Sequence, residues 1–268
     1  MKFNLSSLTP NRVHKPSSRE VERLRLLLST YQDGTGMNAR PGGMSLPGWR
    51  DFERAVALAF DGVAQESKFI FDVLLRNVGK RKGLVGLSCK MRRELNRIDR
   101  DGRVTIEVSN SAGKFWDYLN AEGIDQTNYK SRPADVGAGL IALVEKWHDD
   151  ASVSLSDEID LDASSFLVLS WSRDGWYQLH QFGLRLPHPE SLQWPSPNER
   201  SRRIVGADDS GNLFEWYGES GGQLKYYPLA EDAVWRSERF RLEPLGEKRY
   251  GTIEKVAAYF PEQWSKLG

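Results

Sequence analysis

The sequence contains few of the residues that form disulfides or soft-metal sites. Its 268 residues include one cysteine, Cys89, and four histidines: His14, His148, His180 and His188. A single cysteine excludes an intrachain disulfide and a cysteine-based zinc cluster, and the histidines show no metal-ligand spacing. A metal site in this chain would therefore be built from oxygen ligands, which suit Mg²⁺ or Mn²⁺ better than zinc.

Several motifs that mark other classes of protein are also missing. The chain has no Gly-x-Ser-x-Gly elbow and no P-loop, and the Gly-Ala-Gly at 137–139 follows no strand pattern, which excludes a dinucleotide loop. No apolar run reaches the ~18 residues that cross a membrane, and the N-terminus lacks the apolar core of a secretory signal. These features predict a soluble, cytoplasmic protein.

The two signs of charge are segregated along the chain. Net charge is zero, since 37 basic residues balance 37 acidic ones. Residues 76–103 contain ten Lys or Arg against three Asp or Glu, whereas residues 149–165 contain six acidic residues and no basic ones. A local concentration of positive charge is what a phosphate backbone requires. The distribution favours a nucleic-acid partner; the alternative is a solvated basic turn and helix.

Two apolar runs, at residues 67–75 and 83–91, are joined by a basic turn. Each run has the length and the content of β-branched and aromatic residues expected of a strand, and the Gly-Lys-Arg-Lys-Gly between them predicts a hairpin. Because side chains alternate along a strand, Ser88 and Lys90 share a face. A carboxylate, Asp72, and the Lys90 ammonium are costly to bury on such strands unless they are paired or bind a metal.

This arrangement resembles the PD-(D/E)XK nuclease superfamily, best known from restriction endonucleases. There an Asp lies on one strand and an acidic-x-Lys triplet lies on the next. Asp72 would be the Asp, and the triplet would be Ser88, Cys89 and Lys90. Two positions depart from the pattern, because Phe71 replaces the proline and Ser88 replaces the acidic residue. The resemblance covers less than a third of the chain.

The resemblance implies metal-dependent hydrolysis of a phosphodiester. Asp72, the Cys89 backbone carbonyl and one further carboxylate would bind Mg²⁺, which would activate water and neutralise charge on the phosphorane. Lys90 would orient the attacking water or stabilise the developing charge. The alternative for Asp72 and Lys90 is a buried structural ion pair across the hairpin, an arrangement that often adds little to stability.

Two glutamates are candidates to replace the carboxylate missing at Ser88. Glu53 lies at the edge of the apolar face of a helix predicted to begin at Asp51, and many nucleases of the resembled superfamily use a Glu on this helix. Glu107 lies just ahead of a later helix. The alternative for Glu53 is a first-turn acid that is favoured by the helix dipole. The alternative for Glu107 is an exposed polar position. The implied catalytic set is Asp72, Lys90, Ser88 and Glu53.

Contacts with DNA are expected on two parts of the chain. The residues expected to grip phosphates without reading sequence are Lys80, Arg81, Lys82, Arg92 and Arg93. Farther along, Gln223 and Lys225 fall on one face of a predicted strand together with Tyr227, and Gln and Lys side chains can read base edges. The alternative for this strand is a solvated sheet face.

The remaining periodicity predicts an α/β protein with a mixed β-sheet flanked by helices and a β-rich C-terminal half. The resemblance implies that the sheet and helices form a restriction-endonuclease-like core. Residues 1–150 would form the nuclease-like core with an N-terminal helical arm. Residues 151–268 would either complete the sheet or form a DNA-recognition lobe. The predicted helices are 19–31, 51–64, 92–100, 109–119, 135–147 and 252–260. The later predicted strands are 166–171, 176–182, 213–217, 223–227 and 240–242, and the turn residues at 173–175 predict that the first two form a hairpin.

Taken together, these features predict a type II restriction endonuclease that cleaves double-stranded DNA with Mg²⁺. It would act as a homodimer, because cutting two strands requires two active sites. Two alternatives stand beside it. One is a catalytically inactive DNA-binding module on the same fold, with Ser88 marking the loss of a metal ligand. The other is an interaction protein with a Trp-rich β domain.

Replacing Lys80, Arg81 and Lys82 together by Ala is expected to weaken DNA binding to all sequences alike, because phosphate contacts carry no sequence information. The slope of log affinity against log salt concentration should become shallower by up to about three units, one per lost phosphate contact. Fluorescence anisotropy at several salt concentrations measures both quantities. Unchanged affinity and slope would mean that the turn is solvated and that DNA lies elsewhere.

Overall fold

The chain folds into a mixed α/β structure, which confirms the predicted fold class. The computed structural model describes residues 13–65, 70–76, 83–109, 111–153, 159–198, 200–219, 222–246 and 250–265, without the side chains of residues 112 and 153. The α-helices in these ranges are α1 (Ser18–Thr30), α2 (Trp49–Ala59), α3 (Leu95–Asp101), α4 (Ala112–Ala121), α5 (Pro133–Val153), α6 (Thr252–Tyr259) and α7 (Pro261–Trp264). Among the described residues, no helix combines the length and the apolarity that crossing a bilayer would need.

The strands of the described residues form three sheets. They are β1 (Asn38–Ala39), β2 (Ser45–Leu46), β3 (Val63–Ala64), β4 (Val73–Arg76), β5 (Leu84–Arg92), β6 (Ile106–Ser109), β7 (Ser165–Trp171), β8 (Trp176–Gly183), β9 (Ile204–Asp208), β10 (Gly211–Trp216), β11 (Leu224–Tyr226), β12 (Trp235–Arg236) and β13 (Phe240–Arg241). The pair β1 and β2 forms a small ribbon, and the other strands form a larger and a smaller sheet.

The larger sheet is built around β5. Its strand order is β12-β8-β7-β5-β4-β3, with β13 also paired to β8. Strand β5 is antiparallel to β4 and parallel to β7, while β7 and β8 form an antiparallel hairpin. Both hairpins that the sequence predicts for these strands are therefore present, and β5 has a paired strand on each side.

The strand that carries Asp72 begins later than predicted. Residues 66–69 lie outside the described residues, β4 begins at Val73, and Asp72 occupies a bend just before it. The Asp72 N–H still donates to the Leu87 carbonyl at 2.9 Å, and the Asp72 carbonyl accepts from the Gln65 N–H at 2.8 Å. These two bonds hold the Asp72 backbone beside β5, although the regular ladder starts only at Val73.

Alternation along β5 divides its side chains between two buried cores. Val85 and Leu87 pack in the core that includes Phe52 of α2. Leu84 packs on the opposite face, in the core that includes Leu140 of α5. A strand buried on both faces explains why this part of the sequence is apolar without interruption.

The smaller sheet has the order β6-β11-β10-β9, and all its pairs are antiparallel. One face packs on α4, where the Trp216 ring lies 6.3 Å from that of Phe115 and 5.0 Å from that of Trp116, measured between centroids. Strands from the β-rich C-terminal half thus enter both sheets, because β7 and β8 join the larger sheet and β9 to β11 pair with β6 in the smaller one.

Helix α2 begins and ends earlier than predicted. Asp51 is not the N-terminal cap; the helix starts at Trp49, and the Asp51 carboxylate accepts from the N–H groups of Gly48 and Met37, each at 2.8 Å. A carboxylate in the first turn can satisfy the free N–H groups of a helix whose cap residue has no side chain. The helix ends at Ala59 because β3 follows.

Gly86→Ala is expected to destabilise the protein by about 1–3 kcal/mol, the usual cost of overpacking. A methyl group at this position would overlap the ring of Phe71, which is buried. Urea denaturation measures the change, with Gly113→Ala of α4 as the control, since an added methyl there meets open space. Equal stability of the two variants would contradict the close packing of Phe71 on β5.

Candidate active site

A cavity of about 770 Å³ lies between the two sheets and contains most of the predicted site. It is bounded by the start of α2, the C-terminal end of β5, β6, the start of α4 and the end of α5. The predicted site residues that line it are Glu53, Asp72, Ser88, Cys89, Lys90, Arg92 and Glu107. The fold therefore brings together residues that are up to 54 positions apart in the sequence.

The geometry of the site centres on the Lys90 ammonium. Lys90 Nζ donates to Asp72 Oδ2 at 3.4 Å and to the Cys89 carbonyl at 3.2 Å. Asp72 Oδ2 also accepts from the Cys89 N–H at 2.7 Å. The side chains of Asp72 and Lys90 are each 23% exposed. The two residues do form an ion pair, but the pair lies at a cavity wall that solvent reaches and not inside a core.

Ser88 and Cys89, which precede Lys90 on β5, have side chains on opposite faces of the sheet, as the alternation predicts. Ser88 is buried, lines the cavity and is paired in register with Phe166. The Cys89 side chain belongs to the core beneath α1 and α2. Burial there raises the pKa of its thiol well above the usual value. Only the backbone of Cys89 therefore offers the site a ligand.

Glu53 is the carboxylate that is electrostatically coupled to Asp72. It comes from α2, one turn after Trp49. Burial, followed by repulsion from Asp72, raises the pKa of Glu53 to about 7, while Lys90 partly opposes the shift. Two carboxylates that repel each other beside a solvent-filled cavity can be stabilised by a bound cation or by a shared proton.

Glu107, the other candidate, is held by a different partner. It lies on β6 across the cavity and forms a short ion pair with Arg92 Nη1. Arg92 Nε also lies 4.0 Å from a carboxylate oxygen of Glu94. The pair of Arg92 with Glu107 connects the end of β5 to the smaller sheet. The geometry thus favours Glu53 over Glu107 as the second carboxylate beside Asp72.

The other predicted DNA contacts that the structure describes do not line the cavity. Lys80, Arg81 and Lys82 fall outside the described residues. The Arg93 guanidinium lies over the Trp171 ring, 5.8 Å from its centroid. Lys225 lies on β11 directly opposite Glu107 in the ladder, and Gln223 immediately precedes β11. Of the predicted phosphate contacts in the described residues, only Arg92 reaches the cavity wall.

Four charged or aromatic residues that line the cavity were not among the predicted site residues: Trp49, Lys114, Trp147 and Asp150. Trp49 is 49% exposed and precedes Glu53 by one helical turn, so the i, i+4 spacing could have revealed it. Lys114 Nζ lies 5.9 Å from the centre of the Trp147 ring. These two residues come from different helices, and no local pattern in the sequence relates them.

The oxygen atoms at the site suit a hard cation that keeps part of its hydration shell. Within the described ranges, no group of three or more His, Cys, Asp and Glu side chains is placed to hold a metal. The available donors are the carboxylates of Asp72 and Glu53 and the Cys89 carbonyl. Mg²⁺ is commonly bound by one or two carboxylates, with water and substrate phosphates completing the shell. This donor set of two carboxylates and one carbonyl therefore fits Mg²⁺.

No protein-family model, curated protein or solved structure matches this chain.

Glu53→Gln is expected to stabilise the metal-free protein at neutral pH but not in acid. The folded-state pKa of about 7 lies above the ordinary value of 4.5, so the folded protein holds this proton more tightly than the unfolded chain. The parent therefore loses stability as the pH rises from about 4.5 to about 7. After allowance for partial exposure, the advantage of the Gln variant should reach about 1–2 kcal/mol above pH 7.

Urea denaturation in EDTA between pH 4.5 and 8 measures this difference. Glu122→Gln, at an exposed position on the surface, is the control and should show no such trend. A difference between parent and Glu53→Gln that does not vary with pH would contradict the coupling of Glu53 to Asp72.

Proposed function

We propose that this protein is a Mg²⁺-dependent endonuclease that hydrolyses phosphodiester bonds in double-stranded DNA, as type II restriction enzymes do. The observation that carries the proposal is the contact of the Lys90 ammonium with the Asp72 carboxylate and the Cys89 carbonyl, at the end of the central strand and inside a cavity. Glu53 supplies the second carboxylate, in place of the acidic residue that Ser88 replaces.

The residues have distinct roles in this proposal. Asp72, Glu53 and the Cys89 carbonyl would hold Mg²⁺, which would activate water and neutralise charge on the phosphorane. Lys90 donates a hydrogen bond to the attacking water or to a phosphoryl oxygen as negative charge develops. Trp49 and Trp147 add aromatic rings to the cavity lining. Lys114, at the start of α4, adds a cation to the cavity lining.

The nature of the substrate is supported by charge and shape. The basic segment 76–103 contains β5, whose Lys90 and Arg92 line the cavity together with Lys114 of α4. In the proposed complex a phosphodiester enters the cavity while the duplex lies across its mouth. Cutting both strands would require two copies of the chain, which is the reason for proposing a homodimer.

A second candidate function is a DNA-binding module without catalysis. The Lys90 ammonium contacts two of the oxygen atoms that the nuclease would use for the metal, Asp72 Oδ2 and the Cys89 carbonyl, and Ser88 offers no carboxylate. In such a site the Lys90 ammonium neutralises the Asp72 carboxylate, so the charges balance without a metal. Incubation of the protein with plasmid DNA and Mg²⁺, with EDTA as the control, separates the two: the nuclease cleaves only with Mg²⁺, and the binding module leaves the plasmid intact.

Lys90→Met is expected to reduce cleavage by about 100-fold or more, because the lost charge acts on the transition state. DNA affinity should change little. Binding of Mn²⁺, followed by electron paramagnetic resonance, should be retained or become tighter, since the ammonium that repels the metal is gone. Asp72→Asn should abolish both cleavage and Mn²⁺ binding, because it removes a ligand.

Lys130→Met is the matched control for Lys90→Met. Lys130 Nζ also lies 3.4 Å from a carboxylate oxygen, that of Glu219, at a partly exposed position. This variant should cleave like the parent, and its thermal melting reports the cost of breaking a comparable ion pair. If the parent shows no metal-dependent cleavage, and if Lys90→Met and Asp72→Asn lose far more stability than the control, the pair is structural and the nuclease proposal fails.

A further inference from the structure

The outer face of the smaller sheet carries a preorganised polar cluster beside the cavity. Glu215 Oε2 accepts hydrogen bonds from the Tyr217 hydroxyl at 2.7 Å and from the Tyr227 hydroxyl at 2.9 Å. Glu215 Oε1 accepts from Arg203 Nη1 at 3.2 Å. The side chain of Glu215 is 13% exposed, whereas that of Arg203 is 50% exposed. One shielded carboxylate thus fixes two tyrosines and an exposed arginine.

Tyr217 holds two cations in place. Lys225 Nζ lies 4.7 Å and the Arg203 guanidinium carbon 5.7 Å from the centre of its ring. Lys225 comes from β11 and Arg203 directly precedes β9, so the two cations approach from the strands on either side of β10. Cation–π contacts restrain both side chains without using their hydrogen-bond donors.

Among the described residues, no acceptor takes up the hydrogen-bond donors of the Lys225 ammonium. Its neighbours across the sheet are Glu107 on β6 and Glu215 on β10. Glu107 is paired with Arg92, and Glu215 is paired with Arg203. Within the described ranges, Lys225 has neither a hydrogen bond nor an ion pair. Its contact with Tyr217 orients an ammonium that is left without an acceptor.

The cluster is close enough to the cavity to meet the same duplex. Lys225 lies directly opposite Glu107, which lines the cavity. Neighbouring strands are about 4.8 Å apart, so Lys225 lies one strand and Arg203 about three strands from the cavity wall. This span of roughly 5–15 Å corresponds to about one to four base pairs at 3.4 Å per step.

We propose that Lys225 and Arg203 read guanine bases in the major groove next to the scissile phosphate, with Tyr217 and Glu215 as positioning residues. The proposal rests on the proposed nuclease function and assigns part of its sequence specificity. Guanine presents two acceptors, O6 and N7, to which Lys and Arg side chains bind. The carboxylates of Glu107 and Glu215 flank Lys225 and disfavour a phosphate there, but they do not repel the neutral edge of a base.

Selection of bound duplexes from a random-sequence pool, in EDTA so that no strand is cut, tests this assignment. The parent is expected to enrich guanine at defined positions. Lys225→Met and Arg203→Met should each lose the preference at a different position, by roughly 5- to 150-fold. Binding to unrelated sequences and its salt dependence should stay unchanged. Lys130→Met and Arg185→Met, neither of which lines the cavity, are the matched controls and should keep the parent preference.

Two variants of Tyr217 test whether its ring positions Lys225 or only stabilises the fold. Tyr217→Leu removes the ring and should lose the same guanine preference as Lys225→Met. Tyr217→Phe keeps the ring and should restore that preference, even though it loses the hydrogen bond to Glu215. Thermal melting of each variant identifies any loss caused by unfolding, and Lys225→Gln is the milder substitute where Lys225→Met does not fold.

Different outcomes bear on the inference and on the proposed function. If the parent selects and cleaves a defined sequence and the Lys225 and Arg203 variants keep its preference, the assignment is wrong and the nuclease proposal stands. A uniform loss of affinity, with a salt slope lower by about one unit per variant, would mean phosphate contacts and also overturn the assignment. A parent that neither binds nor cleaves DNA removes both proposals.

Discussion

The Lys90 ammonium, at the end of a strand that is otherwise buried, is the feature on which the arrangement of this site depends. A charge in this position must be met by oxygen atoms, because desolvation without a partner is costly. Asp72 and the Cys89 carbonyl provide them at 3.4 and 3.2 Å. Asp72 can do so because its backbone N–H donates a hydrogen bond to the Leu87 carbonyl and its carboxylate accepts one from the Cys89 N–H. The hairpin of β4 and β5 therefore positions both members of the pair.

The two sheets share one core and leave a cavity beside it, around this pair. Apolar side chains of β5 are buried on both faces as far as Cys89, but Lys90 and Arg92 then place two cations on one face. Arg92 reaches across to Glu107 of the smaller sheet. Charged groups that are paired but not fully buried keep solvent in the space between the sheets. This explains why the polar residues of the chain converge at the C-terminal end of β5.

The two sides of the cavity differ in their charged groups and in how those groups are paired. On the side of α2, Glu53 and Asp72 form a carboxylate pair with a raised pKa at Glu53. On the side of the smaller sheet, Glu107 and Glu215 are each neutralised by an arginine, and Lys225 lies between them. The first side is suited to a cation, and the second offers hydrogen-bond donors held at fixed positions. A duplex with its phosphodiester in the cavity would meet both sides.

Local patterns in the sequence determined the elements of the fold and part of the site. Alternation along 83–91 was enough to place Ser88 and Lys90 on one face and the Cys89 side chain on the other, because strand geometry is set by neighbouring residues. The hairpin of β7 and β8 followed from its turn residues in the same way. The start of α2 was predicted wrongly at Asp51, because an acid in the first turn produces the same local pattern as a capping residue.

Only the tertiary structure decided which distant residues meet. The choice between Glu53 and Glu107 depends on how α2 and the smaller sheet pack against β5, and in particular on the pairing of Arg92 with Glu107. The approach of Lys114 to Trp147, and the register that puts Lys225 opposite Glu107, likewise join segments far apart in the chain. Periodicity records which face of an element is buried. It does not record what that face is buried against, because packing between distant elements is settled by shape and charge over the whole fold.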